Sequence, residues 1–178
     1  MGVSTTAEIQ CTFRVCKTIR FEAAHQLERA YSKACVESIH GHSYRVDVVL
    51  ASRCLNPDLM VLDFGLISKA LAQVVEEWDH ALILPTSLLH NSELPDCHKV
   101  VEFPCNPTAE VMAAFIFGHV QKALAVEVEH GVMSKDNGVR VERVRVHETE
   151  TSWAEATAPP RAHRRDTDDR GDPGTTTP

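Results

Sequence analysis

The feature that most constrains the fold is a change in hydrophobic period along the chain. Residues 12–21 and 44–51 alternate apolar and polar side chains, as half-buried strands do. The stretch after Asp63 and the stretch that begins at Asn106 repeat apolar residues at helical spacing. Within residues 139–157, apolar and polar side chains alternate again in two short runs. This order predicts an α+β domain, ββααββ, with an antiparallel four-stranded sheet and both helices on one face.

One domain accounts for most of the 178 residues, of which 43% are hydrophobic. Residues 79–105, between the helices, contain three prolines and are interpreted as irregular. Residues 158–178 are rich in Pro, Gly, Thr and mixed charge and offer almost nothing to bury. We therefore predict a flexible N-terminus at 1–10, a folded domain at 11–157 and a disordered tail.

Composition and charge argue against several classes of function. The net charge is −7 and no basic block precedes the tail, which disfavours nucleic-acid binding. No apolar run approaches the roughly 18–20 residues that span a bilayer, and the N-terminus lacks a signal-peptide pattern. The six cysteines form no CxxC pair and are interpreted as cytosolic thiols. These features predict a cytoplasmic protein with no membrane segment.

The motif HGH places two histidines where the second predicted strand begins. On a strand, His40 and His42 project from one face, roughly 6.5–7 Å apart, and can reach one ion together. His25 ends the first strand and can lie across from them if the two strands pair. Three histidines around Zn²⁺ leave one position open, as in catalytic zinc sites. Hydrogen-bonded surface histidines are the alternative.

Two further sets of residues could carry acid–base chemistry. Asp79 precedes His80 where the first helix ends, and an aspartate beside an imidazole sets its tautomer and raises its basicity. The pairing needs a turn, because adjacent residues on a helix do not face each other. Cys35 lies near the metal motif, where a cation favours the reactive thiolate. A histidine favoured by the helix dipole and a small buried cysteine are the alternatives.

Two carboxylates complete the set of candidate residues. Glu148 follows Val144 and Val146 on one face of the third predicted strand, so a charged group ends an apolar row. Such a carboxylate needs a partner, and a ligand with paired N–H donors would supply one. Glu110 lies in the first turn of the second helix, where negative charge is favoured in any protein.

Six motifs occur in the order known from one enzyme family: FEAAH, a cysteine before HGHSY, LDF, DH, NPTAE and VHETE. The chain resembles the 6-pyruvoyl-tetrahydropterin synthase and 6-carboxytetrahydropterin synthase family over residues 13–155. The resemblance implies the tunnelling fold (T-fold). It also implies a homo-oligomer, in which subunits join by their sheets into trimers, two trimers stack, and active sites lie at subunit interfaces.

The resemblance also implies a role for each candidate residue. The zinc ligands would be His25, His40 and His42, the proton-transfer residues Cys35, Asp79 and His80, and the pterin-binding residues Thr108, Glu110 and Glu148. The substrate would be 7,8-dihydroneopterin triphosphate, with its side-chain oxygens on the zinc ion. Zinc would acidify the neighbouring C–H and O–H bonds, and general bases and acids would redistribute the protons.

The loop before HGH departs from the pattern of each subgroup. The 6-carboxy enzymes typically place Cys three residues before HGH and the 6-pyruvoyl enzymes five, whereas four residues separate Cys35 from His40 here. A third type, which makes 6-hydroxymethyl-dihydropterin for folate, has Glu in the pattern ExxHGH, and Glu37 satisfies that pattern. The stretch therefore carries two candidate bases, Cys35 and Glu37.

FEAAH, the compact spacing and NPTAE favour the 6-carboxy subgroup. The sequence thus predicts a zinc-dependent lyase that forms 6-carboxy-5,6,7,8-tetrahydropterin for queuosine or another deazapurine, and releases triphosphate and acetaldehyde. The alternatives are the folate-bypass enzyme that uses Glu37, a 6-pyruvoyl-tetrahydropterin synthase, and a non-catalytic pterin- or zinc-binding relative. The presence of Cys35, Asp79, His80 and Glu148 disfavours the last of these.

Overall fold

The computed structural model describes residues 11–89 and 99–159. The predicted N-terminal segment and all but the first two residues of the predicted tail lie outside this part of the chain. The elements in chain order are β1 (Phe13–His25), α1 (Lys33–Glu37), β2 (His40–Ser52), α2 (Phe64–Trp78), β3 (Ala81–Pro85), α3 (Thr86–Leu89), β4 (Val100–Phe103), α4 (Ala109–Glu129), a 3₁₀ turn (Lys135–Asn137), β5 (Arg140–His147) and β6 (Trp153–Thr157).

The strands form one six-stranded sheet in the order β4-β3-β1-β2-β5-β6. β1, β2, β5 and β6 pair antiparallel, which is the predicted four-stranded arrangement. β3 and β4 extend it as parallel strands beside β1, so the prediction of four strands was wrong by two. Both lie within residues 79–105, which the sequence marked as irregular. All five residues of β3 are buried, and a strand buried on both faces lacks the alternation that a sequence pattern detects.

The two long helices contribute to one core on a single face of the sheet, as predicted. The side chains that meet there include Ile67, Leu71, Val74 and Trp78 from α2, Met112, Ile116 and Val120 from α4, and Tyr44, Val46, Val48 and Leu50 from β2. Phe21 and Tyr44 are cross-strand partners whose rings stack with centroids 5.0 Å apart. This pair stabilises the register of β1 against β2 close to the strand ends.

The start of α2 agrees with the prediction from the sequence, whereas the start of α4 does not. Helix α2 begins directly after Asp63, as predicted, and Asp63 caps it by accepting a hydrogen bond from the Gly65 N–H. Helix α4 is capped by Thr108 and begins at Ala109, so the predicted start at Asn106 was wrong by three residues. The Asn106 side chain accepts the N–H of Glu28 and donates to the Arg29 carbonyl, tying the chain after β1 to α4.

Helix α4 is the one helix in the part of the chain that the structure describes with the length and apolar composition of a membrane span. Its 21 residues include an 18-residue window of mean hydropathy 1.4, so the prediction that no apolar run approaches the length of a membrane span was wrong. Six of its residues, including Met112, Ile116 and Val120, are buried in the core. We therefore assign α4 to the core of the domain.

Candidate active site

Three histidines converge at the end of the β1–β2 pair. His25 is the last residue of β1 and lies directly across from His40, the first residue of β2. His42 projects from the same face of β2 two residues later. One potential ligand atom from each residue lies within 4.8 Å of the others, and the Nε2 atoms of His25 and His40 are 3.0 Å apart. The antiparallel pairing therefore assembles the cluster that the sequence predicted.

For two of the three rings, a backbone carbonyl determines which nitrogen faces the cluster. Nδ1 of His25 lies 2.9 Å from the Pro107 carbonyl, and Nδ1 of His40 lies 3.1 Å from the Ser38 carbonyl. Because a carbonyl oxygen only accepts, both Nδ1 atoms carry a proton and both Nε2 atoms present a lone pair. Two such lone pairs at 3.0 Å repel each other unless they share a proton or a metal ion.

His42 provides the clearest sign that a metal fits this cluster. Its Nε2 is buried and has no hydrogen-bond partner among the residues that the structure describes, which is uncommon for a buried polar atom. A metal ion ligated by this nitrogen would satisfy it. Burial lowers the pKa of His25 and of His42, so both rings are neutral at neutral pH, the form that binds metal. The cluster fits a three-histidine zinc site with a fourth position open.

Glu148 lies at the rim of this cluster. It directly follows β5, and its Oε1 is 3.3 Å from Nε2 of His25 and 3.6 Å from Nε2 of His42. The Glu148 N–H donates to the Ser152 carbonyl, which holds the turn between β5 and β6. The structure thus brings the carboxylate that ends the apolar row of β5 next to the histidines.

The two candidate bases lie on the short helix α1. Cys35 is half-buried, and its carbonyl accepts the Leu27 N–H at 2.9 Å. Glu37 is exposed and stands two positions further on, about 200° around a helix, so the two side chains point in different directions. Neither side chain forms a hydrogen bond or an ion pair with another residue in 11–89 or 99–159. Five residues are too few to show a helical period, which is why the sequence did not predict α1.

Asp79 and His80 form a hydrogen-bonded pair. Asp79 is the C-cap of α2 and His80 has a left-handed φ of +58°, which together make the turn that such a pairing requires. Asp79 Oδ2 lies 2.9 Å from His80 Nδ1, and Asp79 Oδ1 accepts the Glu22 N–H at 2.9 Å. The Glu22 N–H, aided by the His80 ring, lowers the pKa of the Asp79 carboxyl below its usual value. Asp79 is therefore ionised and keeps His80 protonated on Nδ1.

Within the described residues, the Asp79–His80 pair is not hydrogen-bonded to the other candidate residues. The His80 side chain is 78% exposed. Among the described residues, no hydrogen bond or ion pair links Asp79 or His80 with Cys35 or with the histidine cluster. Of the relay of Cys35, Asp79 and His80 that the resemblance implied, the described part of the chain brings Asp79 and His80 together.

The pterin-binding candidates on α4 lie beside the carbonyl that orients His25. Thr108 accepts the Val111 N–H as the N-cap, and Glu110 is exposed in the first turn. Pro107, whose carbonyl accepts from His25, immediately precedes the cap. The NPTAE motif thus contacts the cluster through the Pro107 backbone carbonyl, whereas the Thr108 hydroxyl caps α4.

An open cleft of about 490 Å³ lies at the strand ends beside the Asp79–His80 pair. The residues that line it include Glu22, Ala24, Gly41, His42, Ser43 and His80. Ser43 Oγ donates to Glu22 Oε2 at 2.6 Å. The sequence reasoning missed both residues, although they belong to FEAAH and HGHSY. A Cβ on Gly41 would lie 3.5 Å from the Ala23 carbonyl oxygen, an ordinary contact, so packing does not require glycine there.

The fold and the cluster together define a class, α+β proteins that can hold a metal ion on three histidines at the end of an antiparallel strand pair. A family model described as 6-pyruvoyl tetrahydropterin synthase matches residues 14–159. The chain belongs to this family, and the resemblance seen in its motifs is confirmed. It is accordingly a lyase of the tetrahydropterin synthase kind.

Similar proteins agree with this assignment. A Helicobacter pylori protein named 6-carboxy-5,6,7,8-tetrahydropterin synthase is 33% identical over 141 residues, which is 77% of this chain and 68% of that protein. An Aquifex aeolicus protein of the same name is 32% identical over 164 residues, 80% of this chain and 96% of that protein. A Plasmodium vivax 6-pyruvoyltetrahydropterin synthase with a catalytic residue replaced by alanine has a TM-score of 0.63 at 20% identity, covering 82% of this chain and 97% of its own. At that identity the likeness shows the fold alone, and it confirms the T-fold.

Proposed function

We propose that the chain is a zinc-dependent lyase that converts 7,8-dihydroneopterin triphosphate to 6-carboxy-5,6,7,8-tetrahydropterin, with release of triphosphate and acetaldehyde. The observation that carries the proposal is the three-histidine cluster in a chain whose relatives are named for this product. We also propose that the product serves queuosine or another deazapurine and that the enzyme works in the cytoplasm.

His25, His40 and His42 would hold the zinc ion. Zinc supplies Lewis-acid chemistry, making C–H and O–H bonds beside a coordinated oxygen more acidic. The chain contributes orientation, because the Pro107 and Ser38 carbonyls fix two of the three rings before any ligand binds.

Proton transfer would be divided between α1 and the turn after α2. Cys35 would act as the general base that takes a proton from a C–H bond of the substrate side chain. His80, held by the ionised Asp79 with its Nδ1 protonated, would exchange a proton with a side-chain oxygen through Nε2.

Recognition of the pterin ring would fall to Glu148. Its carboxylate can accept two hydrogen bonds, one from the 2-amino group and one from N3–H of the ring. Thr108 and Glu110 would flank the ring from the start of α4. The partly buried Glu148 carboxylate, 29% exposed and without a Lys or Arg partner among the described residues, supports this role.

We propose a homo-oligomer, a trimer or a dimer of trimers, with active sites between subunits. In one chain, β4 and β6 are the outer strands of the sheet, and unpaired edges are sites where sheets of other chains can add. His80 is also largely exposed, whereas acid–base residues act best where water is excluded. A second copy that covers this region would explain both observations.

A second candidate, formation of 6-hydroxymethyl-dihydropterin, depends on Glu37. The observation that favours it is the placement of Glu37 on the same short helix as Cys35. Cys35 is the more buried of the two, which favours the thiol as the group that faces a substrate. A 6-pyruvoyl product is a further alternative.

The deciding experiment is to incubate the zinc-loaded protein with 7,8-dihydroneopterin triphosphate and to identify the product by mass. The proposal predicts 6-carboxytetrahydropterin together with acetaldehyde. A 6-hydroxymethyl or 6-pyruvoyl pterin would replace the proposed reaction by one of the alternatives. Tight pterin binding without turnover would show a non-catalytic relative.

A further inference from the structure

The distances around Glu148 match those of a metal ligand. Zinc binds histidine nitrogen at about 2.0–2.1 Å, so two ligand atoms at a tetrahedral angle lie roughly 3.3–3.4 Å apart. Oε1 of Glu148 is 3.3 Å from Nε2 of His25 and 3.6 Å from Nε2 of His42. These two distances are therefore close to those expected between the atom of a fourth ligand and the two histidine nitrogens.

The third histidine shows that this arrangement is incomplete. The group whose ligand atoms all lie within 4.8 Å of one another contains His25, His40 and His42, but not Glu148. The carboxylate thus approaches the cluster from the His25–His42 side and needs a change of side-chain torsion to complete a tetrahedron with His40. A ligand in this position can join or leave the metal without movement of the backbone, which the Ser152 carbonyl holds.

The surroundings of Glu148 offer its carboxylate few other partners. Its side chain is 29% exposed, and within residues 11–89 and 99–159 the only basic side chains at ion-pair distance from its carboxylate are those of His25 and His42. No Lys or Arg side chain in this part of the chain pairs with it. A partly buried carboxylate without such a partner favours a cation bound beside it.

We propose that Glu148 is the fourth ligand of the metal in the enzyme without substrate, and that it leaves the metal to bind the ring edge of the arriving pterin. The second half of this inference rests on the proposed function, whereas the first half requires only the histidine cluster. Pterin binding would then open the fourth position at the moment when the substrate side chain is beside it. Binding of the pterin ring would thus be coupled to activation of the substrate side chain.

The first test measures metal binding in the full chain without substrate. The matched control is Glu150→Gln, which removes an exposed carboxylate two residues away in the same turn. We expect Glu148→Gln and Glu148→Ala to bind zinc at least about 10-fold more weakly than the wild type, as a lost metal contact does, while Glu150→Gln is unchanged. The visible absorption of the Co²⁺-substituted protein should change in the two Glu148 variants only.

The second test adds 6-methylpterin, which has the ring edge but no side-chain hydroxyls, to the Co²⁺ protein. The wild-type spectrum should move towards that of Glu148→Ala as the carboxylate leaves, and the Glu148→Ala spectrum should not move. Unaltered zinc affinity and an unaltered Co²⁺ spectrum in folded Glu148 variants would overturn the inference. The product assay tests the reaction separately: a different product with these metal responses intact would overturn the proposed function and leave the ligand role standing.

Discussion

The histidine cluster and the Asp79–His80 pair differ in how much of their structure one chain supplies. His25 is 1% exposed, and its ring is held by the Pro107 carbonyl and faces two other imidazoles. The His80 side chain is 78% exposed, and among the described residues its ring is bonded only to Asp79. One strand pair assembles the cluster, whereas the Asp79–His80 pair, whose histidine lines the same cleft as His42, forms no hydrogen bond with the cluster among the described residues.

This difference separates metal binding from proton transfer. Metal ligation needs three nitrogens at fixed separations, which the register of β1 and β2 provides without any other chain. Proton transfer needs contact with a substrate in a site that excludes water, and an exposed imidazole does not meet that condition. We therefore expect changes in the cluster to act on each chain alone, and changes at His80 to depend on assembly.

The largest effect is expected from the cluster itself. His42→Ala removes the buried nitrogen that has no hydrogen-bond partner among the described residues, so bound zinc should be lost. Removal of a group that only orients a ligand lowers metal affinity by about 10–100-fold, and the loss of zinc affinity in His42→Ala should be larger. Zinc content by mass spectrometry checks this, with His130→Ala, which removes an exposed histidine at the end of α4, as the control. Normal zinc content in His42→Ala would show that the metal binds elsewhere.

The next effect concerns the base on α1. Cys35→Ala should lower kcat by about 10²–10⁴-fold, the usual contribution of a positioned base, without loss of zinc. Glu37→Ala should leave kcat nearly unchanged, because Glu37 is exposed on another side of the helix. Steady-state kinetics on both variants makes the comparison. The reverse result would identify Glu37 as the base and favour the 6-hydroxymethyl product.

Asp79→Asn should reduce kcat by about 10²-fold with zinc retained, because the His80 ring loses its orienting charge. The same variant has a predicted pH signature. The folded-state pKa of Asp79 lies below its unfolded value, so its contribution to stability is present above about pH 4 and lost as the pH falls through the folded pKa.

Thermal unfolding checks that signature. The difference in Tm between wild type and Asp79→Asn should be largest near pH 7 and should shrink in acid. A difference independent of pH would mean that the Asp79 charge does not stabilise this turn.

The smallest effect is expected from Tyr44→Phe. The Tyr44 hydroxyl lies 3.4 Å from His25 Nδ1, which already donates to the shorter contact with Pro107. Burial raises the pKa of Tyr44, so the hydroxyl stays neutral. We expect zinc affinity to fall less than about 10-fold and stability to change by about 1 kcal/mol or less. A larger loss of zinc would show that Tyr44, and not Pro107, orients His25.

The sequence predicted the cluster better than the rest of the site, for a physical reason. The two-residue spacing of His40 and His42 suits a strand, and one pairing then fixes the geometry. The predicted alternation, at 12–21 and 44–51, stops short of His25 and of His42, whereas β1 and β2 include both. Glu148 could be placed in the same way, from its position after Val144 and Val146. These residues lie on antiparallel strands or, for Glu148, directly after one, where a local pattern and the three-dimensional arrangement agree.

The missed elements are short or depend on distant contacts. β3 is a five-residue apolar run without alternation, and α1 is five residues long. The start of α4 was misplaced because Asn106 uses its side chain to bind the chain after β1, a contact that no local pattern reveals. The surroundings of His80 depend on a second copy of the chain under the proposed assembly.

The most direct test of the central claim is complementation between two inactive variants, His42→Ala, which lacks the metal site, and His80→Ala, which lacks the exposed imidazole. Each is refolded alone and both are refolded together with zinc, and formation of 6-carboxytetrahydropterin is followed by mass. If His80 acts on the metal site of a neighbouring subunit, the mixture should recover about a quarter of the wild-type rate through random assembly. A mixture that stays inactive, while wild type refolded in the same way is active, would contradict a shared active site.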